Sequence, residues 1–374
     1  MPPSPRRLNQ PAVAACWRAT VFFLATVALA PFLATCRPAG SSSAEQVVLY
    51  VSADEFLARQ VIAAFEREHG IEVRFIGDTE ATKTTGLAQR LRQEKENPQA
   101  DVYWSSEIFL TIALAGEGLF EEHISDAVAD WPRQHRDGQR RWHAFAARPR
   151  VIVYATDRVA AEQVPATWMN LTWDTFRGRI VMADPRFGTT GGHLAAMKAY
   201  WNEDIPGFYE AYLLGLKENG VRVLPSGNAG VVRAVAGGEA DLGLTDADDV
   251  WAAQANGAKV ALVYPRHSVD EDEPGNGTLL IPNTVARVRG GPNPRNARLL
   301  IDFLLSEAVE RMIAESNSHN IPLNPALAGA YPQYAVDDPL RVDFERAAAL
   351  RESAIAQAMD MLADGAEGDG SDAP

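Results

Sequence analysis

The chain has 374 residues and a formal net charge of −14, from 49 acidic and 35 basic side chains. Such acidity argues against nucleic acid or anionic lipid as a partner and favours solubility. The two cysteines, Cys16 and Cys36, both lie near the N-terminus, so no disulfide is expected to hold the rest of the chain. A core of two domains can provide the stability instead.

The N-terminal segment predicts export. Arginines precede an apolar run over 19–34, which is too short and wrongly flanked for a spanning helix and is typical of a signal peptide over 1–35. The run ends in Leu-Ala-Thr-Cys, which is similar to a bacterial lipobox and predicts lipidation of Cys36. Cleavage nearby without lipidation is the alternative. Residues 36–46 would be the tether of a lipoprotein on the periplasmic face of the envelope.

The first half of the mature chain alternates strands and helices. Apolar runs predict strands at 47–51, 71–76 and 101–104, and helical patterns follow Asp54 and Thr84. Three such units in about sixty residues predict an α/β fold with a doubly wound, mostly parallel sheet.

The second half repeats this alternation between two crossing segments. The apolar run 148–155 is long enough to pass from one domain to another, and 277–282 is predicted as the return crossing. Strands are predicted between them, and helices after the return, the last over 339–362. The tail 363–374 has no core-forming residue and is predicted to be disordered.

A block of carboxylates follows one of these strands. The strand after Gly237-Gly238 ends at Asp246, Asp248 and Asp249, just before a helical stretch. Ligands of open α/β sheets bind outside the carboxyl ends of the strands, so we expect a ligand here. The alternative is that one aspartate only caps the helix.

The order and spacing of several segments resemble the type II extracellular solute-binding proteins of ABC transporters, above all the ferric-iron-binding branch. The segments that carry the resemblance are 48–52, 100–105, 148–154, 238–241, 277–286 and 320–323. The resemblance implies a two-lobed periplasmic binding-protein fold with a two-strand hinge. Lobe 1 would comprise 47–147 with 283–362, and lobe 2 would comprise 148–282.

The resemblance also implies a metal site. In the ferric branch, the metal is typically held by a histidine, a glutamate and two adjacent tyrosines. Their places fall on Asp54, on Ser106 with Glu107 beside it, and on Asp248 with Asp249. Tyrosinates are absent, but carboxylates suit ferric iron and other hard cations. The alternative for Asp54 and Glu107 is that each begins or caps a helix.

An anion site and further ligand contacts are predicted around these residues. The turn Gly188-Thr189-Thr190-Gly191-Gly192 between a strand and a helix presents free N–H groups and hydroxyls. In the resembled proteins, such a turn holds a synergistic anion with an arginine and an asparagine, here Arg150 and Asn228. The full predicted ligand-binding set, apart from the metal residues, is Ser52, Ser105, Ser106, Arg150, Thr189, Thr190, Gly191 and Asn228.

These features predict a receptor and not an enzyme. It would be a monomer that captures a small ligand between its lobes and delivers it to a membrane permease, with no resident cofactor. A bound Fe³⁺ or other hard cation would be the transported ligand. An organic phosphate, a phosphonate or a polyhydroxylated molecule is the alternative ligand. The alternative from another class is an exported metal-dependent hydrolase.

Overall fold

The computed structural model describes residues 45–78, 84–268 and 274–363. The predicted signal peptide 1–35, Cys36 and the tether up to residue 44 lie outside the described residues, as does the predicted tail from residue 364 onward. None of the described helices has the length and apolar character needed to cross a membrane.

Ten strands in the described residues form one mixed sheet. They are β1 (Gln46–Val51), β2 (Glu72–Gly77), β3 (Val102–Ser105), β4 (Phe120–Glu121), β5 (Trp142–Ala155), β6 (Ile180–Ala183), β7 (Arg222–Leu224), β8 (Leu242–Asp246), β9 (Val260–Val263) and β10 (Leu280–Val288). Their order is β2-β1-β3-β10-β5-β8-β6-β7, with β4 beside β10 and β9 beside β5.

The sheet consists of two parallel groups joined by antiparallel strands. The groups β2-β1-β3 and β8-β6-β7 are each parallel. Between them, β10 pairs antiparallel with β3 and β5, and β5 pairs antiparallel with β8. Residues of β5 up to Pro149 pair with β10, and those from Arg150 onward pair with β8. The strand predicted to cross therefore does cross, but it begins at Trp142 and not at Arg148.

Ten α-helices cover the sheet in the described part of the chain. They are α1 (Glu55–His69), α2 (Thr85–Gln93), α3 (Phe109–Gly116), α4 (Gly188–Asp204), α5 (Phe208–Glu218), α6 (Asn228–Ala236), α7 (Ala247–Ala255), α8 (Pro294–Leu304), α9 (Glu307–Glu315) and α10 (Phe344–Ala363). Helix α1 buries Leu57, Val61 and Phe65 and ends at Gly70, whose φ of 66° is left-handed. The sequence prediction did not include α5.

Each parallel group has a hydrophobic core on both faces. Along β1, Val47 and Leu49 enter one cluster while Val48 and Tyr50 enter another. A run of apolar residues on both faces is what a buried parallel strand requires. Burial of each large aliphatic side chain stabilises the fold by about 1.5–3 kcal/mol.

The last helix packs against both groups. Ala347 of α10 lies in a cluster with residues of α3, whereas Ala354 and Ala358 lie in a cluster with residues of α4 and α5. Helix α10 therefore contacts both predicted lobes. The described residues form one compact unit, and the predicted lobe limits stay a prediction.

Candidate ligand-binding site

The acidic cluster lies where β8 ends and α7 begins. Asp246, Asp248 and Asp249, which we name the acidic cluster, each present one carboxylate oxygen within 4.8 Å of the others. Asp246 precedes the helix, yet its side chain makes no hydrogen bond to a backbone N–H of α7. The same is true of Asp54 in front of α1. Helix capping therefore does not account for either side chain.

A small pocket of about 20 Å³, partly open to solvent, lies over this cluster, and we name it the site pocket. Asp54 and Ser106 line it from the ends of β1 and β3, and Thr189 and Asn228 line it from the first turns of α4 and α6. Four carboxylates (Asp54 and the acidic cluster) and one guanidinium, that of Arg148, belong to the lining. The lining therefore carries an excess of negative charge.

Arg148 was missed by the sequence analysis as a site residue. Only 5% of its surface is exposed, and its Nη1 donates to Asp248 Oδ2 at 3.2 Å. Its Nη2 donates to the backbone oxygen of Ser106 at 2.8 Å. Burial would lower the pKa of Arg148, but Asp248, Asp246, Asp54 and Asp249 outweigh it and raise that pKa. The signal in the sequence was an arginine pair in an apolar strand, because buried arginines require partners.

Arg150, the predicted anion contact, lies behind the pocket and not in its lining. It is fully buried, and its Nη1 donates to Asp246 Oδ1 at 2.7 Å and to Thr189 Oγ1 at 3.1 Å. Asn228 Nδ2 and Thr189 Oγ1 donate to the other oxygen of Asp246, at 2.8 and 2.6 Å. Arg150 thus neutralises and orients Asp246. Its Nη2 has no hydrogen-bond partner within the described residues, and contact of Arg150 with an anion stays a prediction.

Two buried histidines support Arg150 from behind. Arg150 Nε donates to His193 Nδ1 at 3.3 Å, His193 Nε2 lies 3.1 Å from His267 Nε2, and His267 Nδ1 lies 2.7 Å from the oxygen of Gly277. Burial lowers the pKa of His193, and it lowers that of His267 to about 4. Both rings are therefore neutral, and one proton order satisfies the chain: each ring accepts on one nitrogen and donates from the other.

Glu107, predicted to bind the metal, caps the start of a helix in this structure. Its buried carboxylate accepts hydrogen bonds from the backbone N–H groups of Phe109 at 2.7 Å and Leu110 at 2.9 Å, in the first turn of α3. Burial raises its pKa, although the buried Arg351 nearby opposes that effect. Glu107 does not line the site pocket. In this structure Glu107 thus follows the alternative, a helix cap, and its role as a metal ligand stays a prediction.

The predicted glycine-rich turn is the first turn of α4. The helix begins at Gly188, whose φ is 62°. A Cβ on Gly191 would lie 2.1 Å from the oxygen of Pro185 and 2.6 Å from Ile355 Cδ1, so this glycine permits close packing. Thr190 Oγ1 donates to Asn228 Oδ1 at 3.2 Å. Neither Gly191 nor Thr190 lines the site pocket.

The predicted site residues thus divide into two groups. Those that line the site pocket are Asp54, Ser106, Thr189, Asn228, Asp248 and Asp249. Those that do not are Ser52, Ser105, Glu107, Arg150, Thr190 and Gly191. Ser52 Oγ accepts a hydrogen bond from the backbone N–H of Ser106 at 3.0 Å, and Ser105 Oγ accepts one from that of Glu107 at 3.2 Å. These two serines therefore hold the end of β3.

The part of the chain that contains the site pocket is similar to known proteins. Residues 97–346 match the family model of the bacterial extracellular solute-binding proteins. Iron uptake protein A1 of Synechocystis sp. is 25% identical over 298 residues, which are 76% of this chain and 79% of that protein.

Solved structures share the fold. The iron-bound HitA structure from Pseudomonas aeruginosa has a TM-score of 0.72 at 21% identity, over 85% of this chain and 99% of that one. The periplasmic binding protein AfuA from Actinobacillus pleuropneumoniae, solved with exogenous fructose-6-phosphate bound, has a TM-score of 0.72 at 23% identity, over 86% and 99% of the two chains. The chain therefore belongs to the bacterial extracellular solute-binding protein family, the exported transport receptors of ABC importers, and has their two-lobed type II fold.

Proposed function

We propose that this protein captures a hard cation, with ferric iron as the first candidate, and delivers it to the permease of an ABC importer. The observation that carries the proposal is the meeting of Asp54 with the acidic cluster in one pocket. Oxygen donors of this kind are the preferred ligands of hard cations. The similarity to an iron uptake protein and to an iron-bound structure supports iron among these cations.

The lining departs from the ferric branch in one respect. Within the described residues, no tyrosine lines the site pocket. Tyrosinate is a strong ligand for ferric iron, so the carboxylates here would discriminate less sharply between ferric iron and other hard cations. The proposal is therefore made for the class of hard cations, as transported ligand and not as cofactor.

Capture would use the two predicted lobes. Asp54 and Ser106 lie in lobe 1 (47–147 with 283–362), and Thr189, Asn228 and the acidic cluster lie in lobe 2 (148–282). We propose that the lobes close over the cation by bending of the crossing strands. Anchoring through a lipid on Cys36, and action as a monomer, belong to the same proposal.

A polyhydroxylated or phosphate-bearing organic molecule is the second candidate ligand. Arg148 and Thr189 in the lining supply donors for a phosphate, while the carboxylates would accept from hydroxyl groups. The bound sugar phosphate in the AfuA structure supports this candidate. The hydrolase considered from the sequence receives no such support, because the matched family consists of transport receptors.

Native mass spectrometry tests the proposal. The protein, expressed with its own signal segment, would be purified without a metal-affinity tag or chelator. A bound mass equal to a metal ion, lost on substitution of Asp248 and Asp249 by Asn, is the expected result. An organic mass of a few hundred daltons that survives this substitution would contradict it and favour the second candidate.

Titration of the apo protein completes the test. Ferric citrate, calcium, magnesium and fructose-6-phosphate would be added separately and followed by calorimetry. Heat from the sugar phosphate alone would overturn the cation proposal. Heat from at least one cation, absent in the double substitution, would support it.

A further inference from the structure

Arg148 is the one cationic side chain among the described residues that line the site pocket. It is 95% buried, and its three nitrogens are used unequally. Nη1 pairs with Asp248 in lobe 2, and Nη2 pairs with the backbone oxygen of Ser106 in lobe 1, while Nε has no hydrogen-bond partner within the described residues. The guanidinium therefore joins the two sides of the pocket while it retains an unused donor.

The side of Arg148 that faces lobe 1 is held firmly. Its Nη2 also donates to Asn283 Oδ1 at 3.3 Å. Asn283 is fully buried and is fixed in turn by Trp104 Nε1 at 3.2 Å and by the backbone oxygen of Ala146 at 2.6 Å. Arg148 can thus release Asp248 without losing its contacts on the opposite side.

Asp54, Asp246, Asp248 and Asp249 line the site pocket together with this one guanidinium, which pairs with Asp248. Arg150 does not act as a counter-ion in the lining, because it pairs with Asp246 from behind the lining. In the absence of a ligand, Arg148 is therefore the internal counter-ion of the pocket.

We propose that Arg148 is a built-in competing counter-ion, which any captured cation must displace from Asp248. This inference rests on the proposed function. Breaking the Arg148–Asp248 pair and approaching a fixed positive charge lower the affinity for every cation. The attraction of the carboxylates and the repulsion by the guanidinium both rise with the charge of the ion, so Arg148 lowers the affinity for a trivalent ion more than the affinity for a divalent one. Arg148 therefore limits how tightly the pocket holds its cation.

The test compares Arg148→Gln with the wild type, with terbium(III) and calcium as trivalent and divalent probes. The expected result is a rise of at least tenfold in the affinity for calcium and a larger rise for terbium(III), because the repulsion that the substitution removes scales with the charge of the ion. A guanidinium that merely contacted a ligand or stabilised the fold would not give a gain in affinity. Unchanged or reduced affinities would overturn the inference.

The matched control is Arg158→Gln. Arg158 pairs with Asp241 outside the site pocket, so this substitution changes the net charge equally and leaves the pocket intact. Its cation affinities are expected to stay within about twofold of wild type. An equal gain in this control would overturn the inference, because the effect would then come from net charge alone.

Arg148→Lys is the second test variant, to be used if Arg148→Gln does not fold. An ammonium keeps the positive charge, so the affinities should stay within about threefold of wild type. A tenfold loss for both ions would overturn the inference, since it would mean that the guanidinium fork binds the ligand. Failure of the wild type to bind either probe would contradict the proposed function itself, which separates the two failures.

Discussion

Two junctions between a strand and a helix carry carboxylates in this chain, and they use them differently. At the β3–α3 junction, Glu107 bends back and accepts two N–H groups of its own helix. At the β8–α7 junction, Asp246 makes no such contact and is bound by residues from three other elements. The sequence pattern of strand, acid and helix is the same at both.

The difference follows from how many carboxylates are present and what surrounds them. A single glutamate with a flexible side chain can satisfy the free N–H groups of a helix start. Three carboxylates exceed what one helix start can use, and they repel one another unless cations approach. At β8–α7 those cations are Arg148 and Arg150 of β5. The contrast between the junctions teaches that an acid after a strand indicates a ligand site only when another element supplies its partners.

The strongest test of this contrast is the loss of cation binding from one junction alone. Substitution of Asp248 and Asp249 by Asn removes two charges from the pocket lining, so the affinity for the captured cation should fall about 100-fold, or about 2.7 kcal/mol. Glu107→Gln should leave the affinity of the folded protein unchanged. Calorimetric titration of both variants measures the difference, and a comparable loss in Glu107→Gln would erase the contrast.

For stability the order of the two junctions should be reversed, with the larger loss at the β3–α3 junction. Glu107→Ala removes two hydrogen bonds to a buried carboxylate and removes one of the negative charges near Arg351, so the free energy of unfolding should fall by about 2 kcal/mol. Urea denaturation checks this. Asp249→Asn, at a half-buried position in the pocket lining, is the control for stability and should cost well under half as much.

A third junction, between β6 and α4, sharpens the comparison. Gly191→Ala would place a methyl group against the backbone of Pro185 and the side chain of Ile355, and should destabilise the fold by about 1.5 kcal/mol. Cation affinity of the folded protein should not change, because Gly191 lies outside the lining. Thermal unfolding together with titration separates the two effects. A selective loss of affinity at unchanged stability would restore Gly191 as a ligand contact.

The smallest expected effect is a pH dependence that belongs to Glu107. Burial raises the folded-state pKa of this glutamate above its ordinary value of 4.5. The stability it contributes is therefore fully present below pH 4.5 and is lost as the pH rises through the folded-state pKa. The free energy of unfolding of wild type relative to Glu107→Gln should fall over that window. Denaturation at a series of pH values measures it, with the exposed Glu239→Gln as control.

Much of the fold was predictable because its signals are local. Apolar runs mark β1 and β6, and the face of α1 with Gly70 marks a helix and its end. The start of β5 was missed because His143 interrupts the apolar pattern, although this side chain is buried in the structure. Its register with β10 is set by residues more than a hundred positions away, which no local pattern reports.

The site was predictable only in part for the same reason. The end of β8 was recognised from its carboxylates, and six predicted residues line the pocket. The exchange of roles between Arg148 and Arg150 was not, because the two arginines are equivalent by sequence. Their partners distinguish them, Asp246 for Arg150 and Asp248 with Asn283 for Arg148, and these lie about a hundred or more positions away in the sequence.

Helix α10 has a consequence for how the molecule comes apart. It completes a core with α3 at one end and a core with α4 and α5 at the other, and Tyr209 Oη donates to the backbone oxygen of Ala354 at 2.9 Å. Neither half of the protein can melt alone without exposing apolar surface of the other. The proposed hinge bending must therefore coexist with a single cooperative heat-absorption peak, in place of the two independent transitions expected of separate domains.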